Sequence, residues 1–213
     1  MNRFLKFFYL TKRQKFVISI LLLSAGIFIS EFSHGNALII WAVILSILTI
    51  FFLFISLKDD LRGTFFYPIF FLPTLYTAAF VLFYPLVPAR FLTRILILPV
   101  YALGLYSLFL TQNIFAVSAV RTINLMRSAR IVSFVLTIIV FFLLANFCFF
   151  MRLPVFVSPF VVFVLVFLLN FQSLWSYMPT LGHVNEIFFL TALTSLSIAA
   201  ISVGSFNCLS FIS

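Results

Sequence analysis

Charge is scarce in this chain. Of 213 residues only 8% are Asp, Glu, Lys or Arg, with four acids against 13 bases, where a soluble domain carries roughly 25% charged residues. So few charged side chains cannot cover a water-facing surface, which excludes a soluble globular protein. Cysteine is nearly absent. Cys148 and Cys208 form no CxxC or CxxH spacing, so they give no metal or redox centre and read as small buried hydrophobes. There is no internal repeat, no low-complexity linker and no shift in composition that could mark a second domain. The apolar stretches do not alternate in segments of about ten, which excludes a transmembrane barrel and requires each span to satisfy its backbone within a helix. The formal net charge of +9 could indicate nucleic acid in a soluble domain. Here the Lys and Arg residues punctuate apolar runs, as membrane insertion requires, and no nucleic acid is expected.

What is abundant is apolar mass: 65% hydrophobic residues, 33 phenylalanines and a mean hydropathy of +1.30. A bilayer core about 30 Å thick takes roughly 20 apolar residues per helix. The runs between charged or turn-forming residues give seven candidate spans, near 16–32, 37–57, 64–87, 95–115, 131–151, 155–175 and 187–205. The expected fold is therefore an all-α integral membrane bundle of about seven helices, with six to eight allowed, forming one domain over 1–213. The third segment contains Pro68, Pro73 and Pro85, and the fourth Pro99. Both are expected to be proline-kinked, and a re-entrant hairpin of half-spans is the alternative. The first run continues past Ser24-Ala25-Gly26 without a signal-peptide cleavage pattern and reads as a retained anchor.

The charges choose the orientation. With seven spans, one side of the membrane carries Arg3, Lys6, Lys12, Arg13, Lys15, Lys58, Arg62, Arg121, Arg127 and Arg130, and the other only Arg90, Arg94 and Arg152. Ten against three under the positive-inside rule places the amino terminus in the cytoplasm and the carboxyl terminus outside, in a cytoplasmic membrane.

No Asp, Glu, Lys, Arg or His falls near the middle of a proposed span, although such groups are what proton relays and ion-coupled transporters keep at depth. The candidate polar intramembrane contacts are the amides Asn113, Asn146, Asn170 and Gln172, whose ordinary role is interhelical hydrogen bonding. Glu31 with His34, and His183 with Glu186, stand at a spacing of three that could serve metal binding or acid-base work, but five spans separate the two pairs. Lys58-Asp-Asp-Leu-Arg62 reads as a charge-balanced turn rather than a Mg²⁺ site. No metal, cofactor or catalytic group is expected.

In the segment from Arg121 to Arg130, Arg121, Asn124, Arg127, Ser128 and Arg130 project to one half-circle, and Leu125, Met126 and Ala129 to the other. This predicts a short interfacial helix whose Arg121, Arg127 and Arg130 engage anionic headgroups or a protein partner, or act only as anchors. In the last span, Thr191, Ser195, Ala199 and Ser202, with Ala200 and Gly204, form a face of small residues suited to close helix packing, within the bundle or in a homo-oligomer. Trp41, Trp175 and Tyr177 fall where an interfacial aromatic belt is expected.

The stretch Val87-Pro-Ala-Arg90-Phe-Leu-Thr-Arg94, followed by Leu110-Thr-Gln-Asn113-Ile-Phe115-Ala-Val-Ser-Ala-Val-Arg121-Thr-Ile-Asn-Leu-Met-Arg127-Ser-Ala, resembles a family of uncharacterised multi-pass membrane proteins from candidate-phylum bacteria. The likeness covers about residues 60–180. It implies a polytopic bundle in which Arg90, Arg94, Asn113 and Arg121 belong to a shared pattern, and an eighth span beyond Ser213. It implies no activity and no cofactor. The expected role is a non-enzymatic interaction or lipid-binding component of the membrane. The alternatives are a small-molecule or lipid transporter working through the proline-broken helices, and an enzyme acting on a lipid phosphate through Asp59 and Asp60.

Overall fold

The computed structural model describes residues 11–30, 36–58, 67–87, 91–118, 125–151, 157–177 and 184–210. These form seven helices: α1 (Lys12–Ser30), α2 (Asn36–Leu57), α3 (Tyr67–Phe83), α4 (Phe91–Ser118), α5 (Met126–Phe150), α6 (Val157–Tyr177) and α7 (Val184–Ser210). Each of the seven apolar runs holds one helix, and no strand occurs among the described residues. Among the described residues, five helices are long and apolar enough to cross a membrane. The apolar parts of the last two, Phe160–Leu174 and Asn185–Ala200, are shorter.

Local chemistry sets the helix ends. At the start of α1 the Thr11 N–H donates to Gln14 Oε1 at 3.1 Å, one arm of a capping box, and the Lys15 N–H makes the first helical bond, to the Thr11 carbonyl at 3.1 Å. After Phe83 the chain tightens into a 3₁₀ turn, Tyr84–Leu86, and Val87 becomes extended at φ −73°, ψ 134°. Val87 precedes Pro88, whose ring disfavours helical geometry in the residue before it. Pro73 and Pro99 instead lie inside α3 and α4, where each withholds the N–H that would pair the carbonyl four residues earlier. Both helices nevertheless continue through their prolines, each as one uninterrupted element. A second correction concerns the segment 121–130. Met126–Arg130 do not make a separate interfacial helix but are the opening turns of α5, entered through the Ala129 N–H bond to the Leu125 carbonyl at 3.1 Å. No Gly or Pro breaks the sequence there, so the helix runs on into the span. Residues 121–124 lie outside the described residues.

α3 is the central helix, packed against α2, α4, α5 and α6. Half of its spanning window is buried, against 28% for α2, although α2 has a mean hydropathy of 3.0 and α3 only 1.8. Water would reverse that order. In lipid, apolar side chains gain little by leaving the surroundings, so close packing and polar contacts decide which helix sits inside. α1 packs on α2 and α4, with the Phe16 ring edge-on to Phe109 at 5.6 Å. α7 packs chiefly on α6, where Phe167 meets Phe188 at 5.3 Å. Outward-facing positions stay apolar, among them Leu21, Ile47, Leu103 and Phe142, each more than 60% exposed, as a lipid-facing surface should be.

Candidate functional site

Two features stand out, a cationic end and a polar knot at mid-bundle. Phe16, near the start of α1, lies against Phe109, toward the end of α4. The amino-terminal ends of α1 and α5 therefore lie at the same end of the bundle, where α2 also finishes. Lys12, Arg13, Lys58 and Arg127 are exposed there, Arg130 is half-buried, and Lys15 is buried. Lys15 is amphipathic, able to bury its stem while its ammonium reaches toward water. Glu186, exposed in the first turn of α7, is the acid at this end among the described residues. Arg121, Arg62, Asp59, Asp60 and His183 lie outside the described residues, as do Glu31, His34, Arg90 and Arg152. Among the described residues no group of three or more His, Cys, Asp or Glu is placed to hold a metal ion.

The polar knot joins α2, α3 and α4. Thr77 Oγ1 donates to the Pro73 carbonyl at 3.0 Å and accepts from Thr49 Oγ1 at 3.0 Å. Tyr101 Oη lies 3.2 Å from the same oxygen and, with Thr77 already donating, is best placed to be the donor. Tyr76 stacks on Tyr101 at 5.6 Å and 16° and sends its hydroxyl to the α4 carbonyls of Val100 and Tyr101 at 3.4 and 3.3 Å. Phe80 closes the cluster against both rings. All of these side chains are at most 5% exposed. Gly104 makes the approach feasible, because a Cβ there would overlap the Tyr76 hydroxyl and come within 2.7 Å of its Cζ. None of these residues stands out in the sequence. Hydroxyls one helical turn beyond Pro73, opposite a glycine in the next helix, are the signal that could have found them.

The expected amides divide. Asn170 Nδ2 donates across to Thr194 Oγ1 on α7 at 3.3 Å, the interhelical bond anticipated for this group. Asn146 Nδ2 instead donates to the Phe142 carbonyl of its own helix at 2.7 Å. Asn113 Oδ1 and Gln172 Oε1 are buried and have no hydrogen-bond partner among the described residues. The fully buried Gln112 was not anticipated, and neither of its amide atoms finds a partner there. On α7, Thr191 and Ser195 are fully buried, with their hydroxyls returned to the Ile187 and Ala192 carbonyls. Ala199 is half-buried and Ala200 exposed, while the side chains of Ser202, Gly204, Trp175 and Tyr177 lie outside the described residues. The small-residue face is thus used inside the chain over at least Thr191 and Ser195. Trp41 is half-buried, and Cys148 is a buried free thiol.

Between α5, α6 and α7 lies a half-open groove of about 180 Å³, lined mainly by apolar groups, with Thr137 and Asn170 among its polar ones. Thr137 is bonded to the Ser133 carbonyl at 2.8 Å and Asn170 to Thr194, so both are engaged within the protein. No protein-family model, curated protein or solved structure matches the chain.

Proposed function

We propose that this protein is a non-enzymatic, multi-pass component of the cytoplasmic membrane that binds anionic lipid headgroups at the cationic end of its bundle. The observation that carries the reading is the gathering of exposed Lys12, Arg13, Lys58 and Arg127 at one end of an otherwise apolar bundle. Each cation near an anionic leaflet contributes about 1 kcal/mol, and two or more acting together outweigh the fraction of a kcal/mol usual for a surface ion pair. Arg121, Arg127 and Arg130 are the residues assigned this role. Replacing all three with alanine is expected to lower the phosphatidylglycerol that co-purifies with the protein by more than tenfold relative to phosphatidylcholine, at roughly 1 kcal/mol for each arginine lost. Lipid mass spectrometry reads the ratio, and an unchanged ratio would reduce the arginines to topological anchors.

The same charges support seven spans, with the amino terminus in the cytoplasm and the carboxyl terminus outside. Reporter fusions after Gly63, Pro88 and Ser213 are expected to read cytoplasmic, external and external. A cytoplasmic reading at Ser213 would overturn this topology.

A transporter is the second reading, favoured by Pro73 and Pro99 inside α3 and α4, because interrupted helices are where transporters bind substrate. The surrounding Tyr76, Thr77 and Tyr101 are packed against one another and at most 1% exposed, which weighs toward a structural role for that region. Solute flux in protein-loaded liposomes would favour transport over lipid binding.

A further inference from the structure

The groove between α5 and α6 continues the stripe of α5 that begins with its arginines. At about 100° per residue, Arg127, Arg130, Thr137, Ile138 and Phe141 all project within roughly 60° of Phe134. Four of these six, Phe134, Thr137, Ile138 and Phe141, line the groove. On the facing helix Val166, Leu169, Asn170 and Ser173 line it at helical spacing. Because α5 and α6 are joined as antiparallel neighbours, Ser173 lies level with Phe134, nearest the cationic end, and Val166 with Phe141. Ile198 of α7 lines the groove as well. From Arg130 to Phe141 the helix rises about 16 Å, close to one leaflet of a ~30 Å hydrocarbon core.

We infer that a single anionic glycerophospholipid of the inner leaflet binds here, with its phosphate at Arg127 and Arg130 and one acyl chain lying in the groove. This deepens, and rests on, the reading of the cationic end. The occupant follows from the lining. A polar substrate would need several convergent donors and acceptors, whereas the Thr137 hydroxyl already donates to the Ser133 carbonyl and Asn170 Nδ2 to Thr194, and the wall is mainly hydrocarbon. The mouth opens outward, since Phe134, Ile138 and Phe141 are 49%, 51% and 38% exposed, so a chain enters sideways from the bilayer. An apolar cavity of ~150 Å³ already takes up benzene, so a groove of about 180 Å³ holds a stretch of acyl chain. Charge complementarity then selects which lipid supplies it.

The test uses the full-length chain in nanodiscs with photoactivatable phosphatidylglycerol carrying a diazirine midway along one acyl chain, and phosphatidylcholine carrying the same chain. Mass spectrometry is expected to find the phosphatidylglycerol label on the groove residues Ile138, Phe141 and Val166 severalfold above Leu193 and Leu196, which are exposed on the far face of α7. Ile198→Trp fills the groove from α7, and Ile138→Trp fills it from the exposed side should the first variant not fold. Either is expected to remove the groove label. Even labelling of groove and outer face, or a label undiminished in both variants, would overturn the acyl-chain site. Survival of the phosphatidylglycerol preference in that case would leave the cationic-end reading standing. Arg127→Ala is expected to reduce the preference for phosphatidylglycerol about fivefold. Equal groove labelling by phosphatidylcholine would overturn the headgroup assignment and the reading beneath it. Ile138→Cys, in a chain carrying Cys148→Ser and Cys208→Ser, should form no disulfide between copies. Cross-linking there would assign the groove to a second copy of this chain and overturn the lipid site.

Discussion

Gly104→Leu is expected to destabilise the folded bundle by about 2–3 kcal/mol, the upper part of the usual overpacking range. Glycine inside a helix costs about 1 kcal/mol relative to better helix formers, so propensity alone would make leucine stabilising. The clash decides the sign. A side chain at 104 must displace the Tyr76 hydroxyl and ring, and Tyr76 cannot yield easily because it stacks on Tyr101 and packs against Phe80. Tyr76→Phe would relieve little, since the ring itself stands in the way at Cζ. Tyr76→Leu combined with Gly104→Leu should recover much of the loss, giving a coupling free energy of 1 kcal/mol or more, well within the range found for residues in contact. Reversible unfolding of the reconstituted protein in denaturing detergent measures Gly104→Leu, Tyr76→Leu and the double variant. An undisturbed Gly104→Leu protein would show that the approach of α3 to α4 is looser than the Tyr76–Gly104 contact requires.

Tyr101→Ala is expected to cost a similar 2–3 kcal/mol, while Tyr101→Phe should cost only about 0.6 kcal/mol. The two substitutions separate packing from hydrogen bonding at one position. Removing the ring leaves a cavity against Tyr76, Phe80 and Thr77, penalised at about 24 cal/mol per Å³ of unfilled volume. The transfer contribution that enlarges such losses in water is mostly missing, because the unfolded reference is itself surrounded by lipid. Removing only the hydroxyl deletes a bond whose partner, Thr77 Oγ1, still donates to Pro73 and accepts from Thr49. Thr77→Val should fall between them at about 1–2 kcal/mol, because it strands the Tyr101 hydroxyl at a depth where no water can replace the lost acceptor. The same detergent titration ranks the three, and equal losses for Tyr101→Phe and Tyr101→Ala would make the hydroxyl, and not the ring, the element that holds α3 to α4.

Both effects fall on residues that composition and periodicity pass over, and the reason is physical. The pattern of apolar runs broken by Lys and Arg is a one-dimensional consequence of bilayer thickness, so where the described helices fall was legible along the chain. The inside of the bundle was not. In water the most hydrophobic face turns inward, and a sequence declares it. Here Ile47 and Leu53 are equally apolar, yet one is 61% exposed and the other fully buried, because lipid and protein interior offer an aliphatic side chain nearly the same surroundings. Pro73 and Pro99 read as kink positions, with half-spans as the alternative, and α3 and α4 each run on through their proline. The arginine cluster was visible as a motif, whereas its continuation into the stripe Phe134 to Phe141 became meaningful only with α6 lying opposite.

The sequence by itself determined that this is an apolar helical protein, where its described helices fall, and that its deep positions are free of Asp, Glu, Lys, Arg and His. Tertiary structure alone decided that α3 is central, that Thr49, Thr77 and Tyr101 meet, that Gly104 admits Tyr76, and that α5, α6 and α7 leave a groove below Arg127 and Arg130. The first set follows from the free energy of placing each segment in lipid, which is a sum over residues along the chain. The second depends on how surfaces fit, and in a solvent that does not distinguish inner from outer hydrocarbon, that fit is settled by shape and by a few hydrogen bonds between residues far apart in sequence.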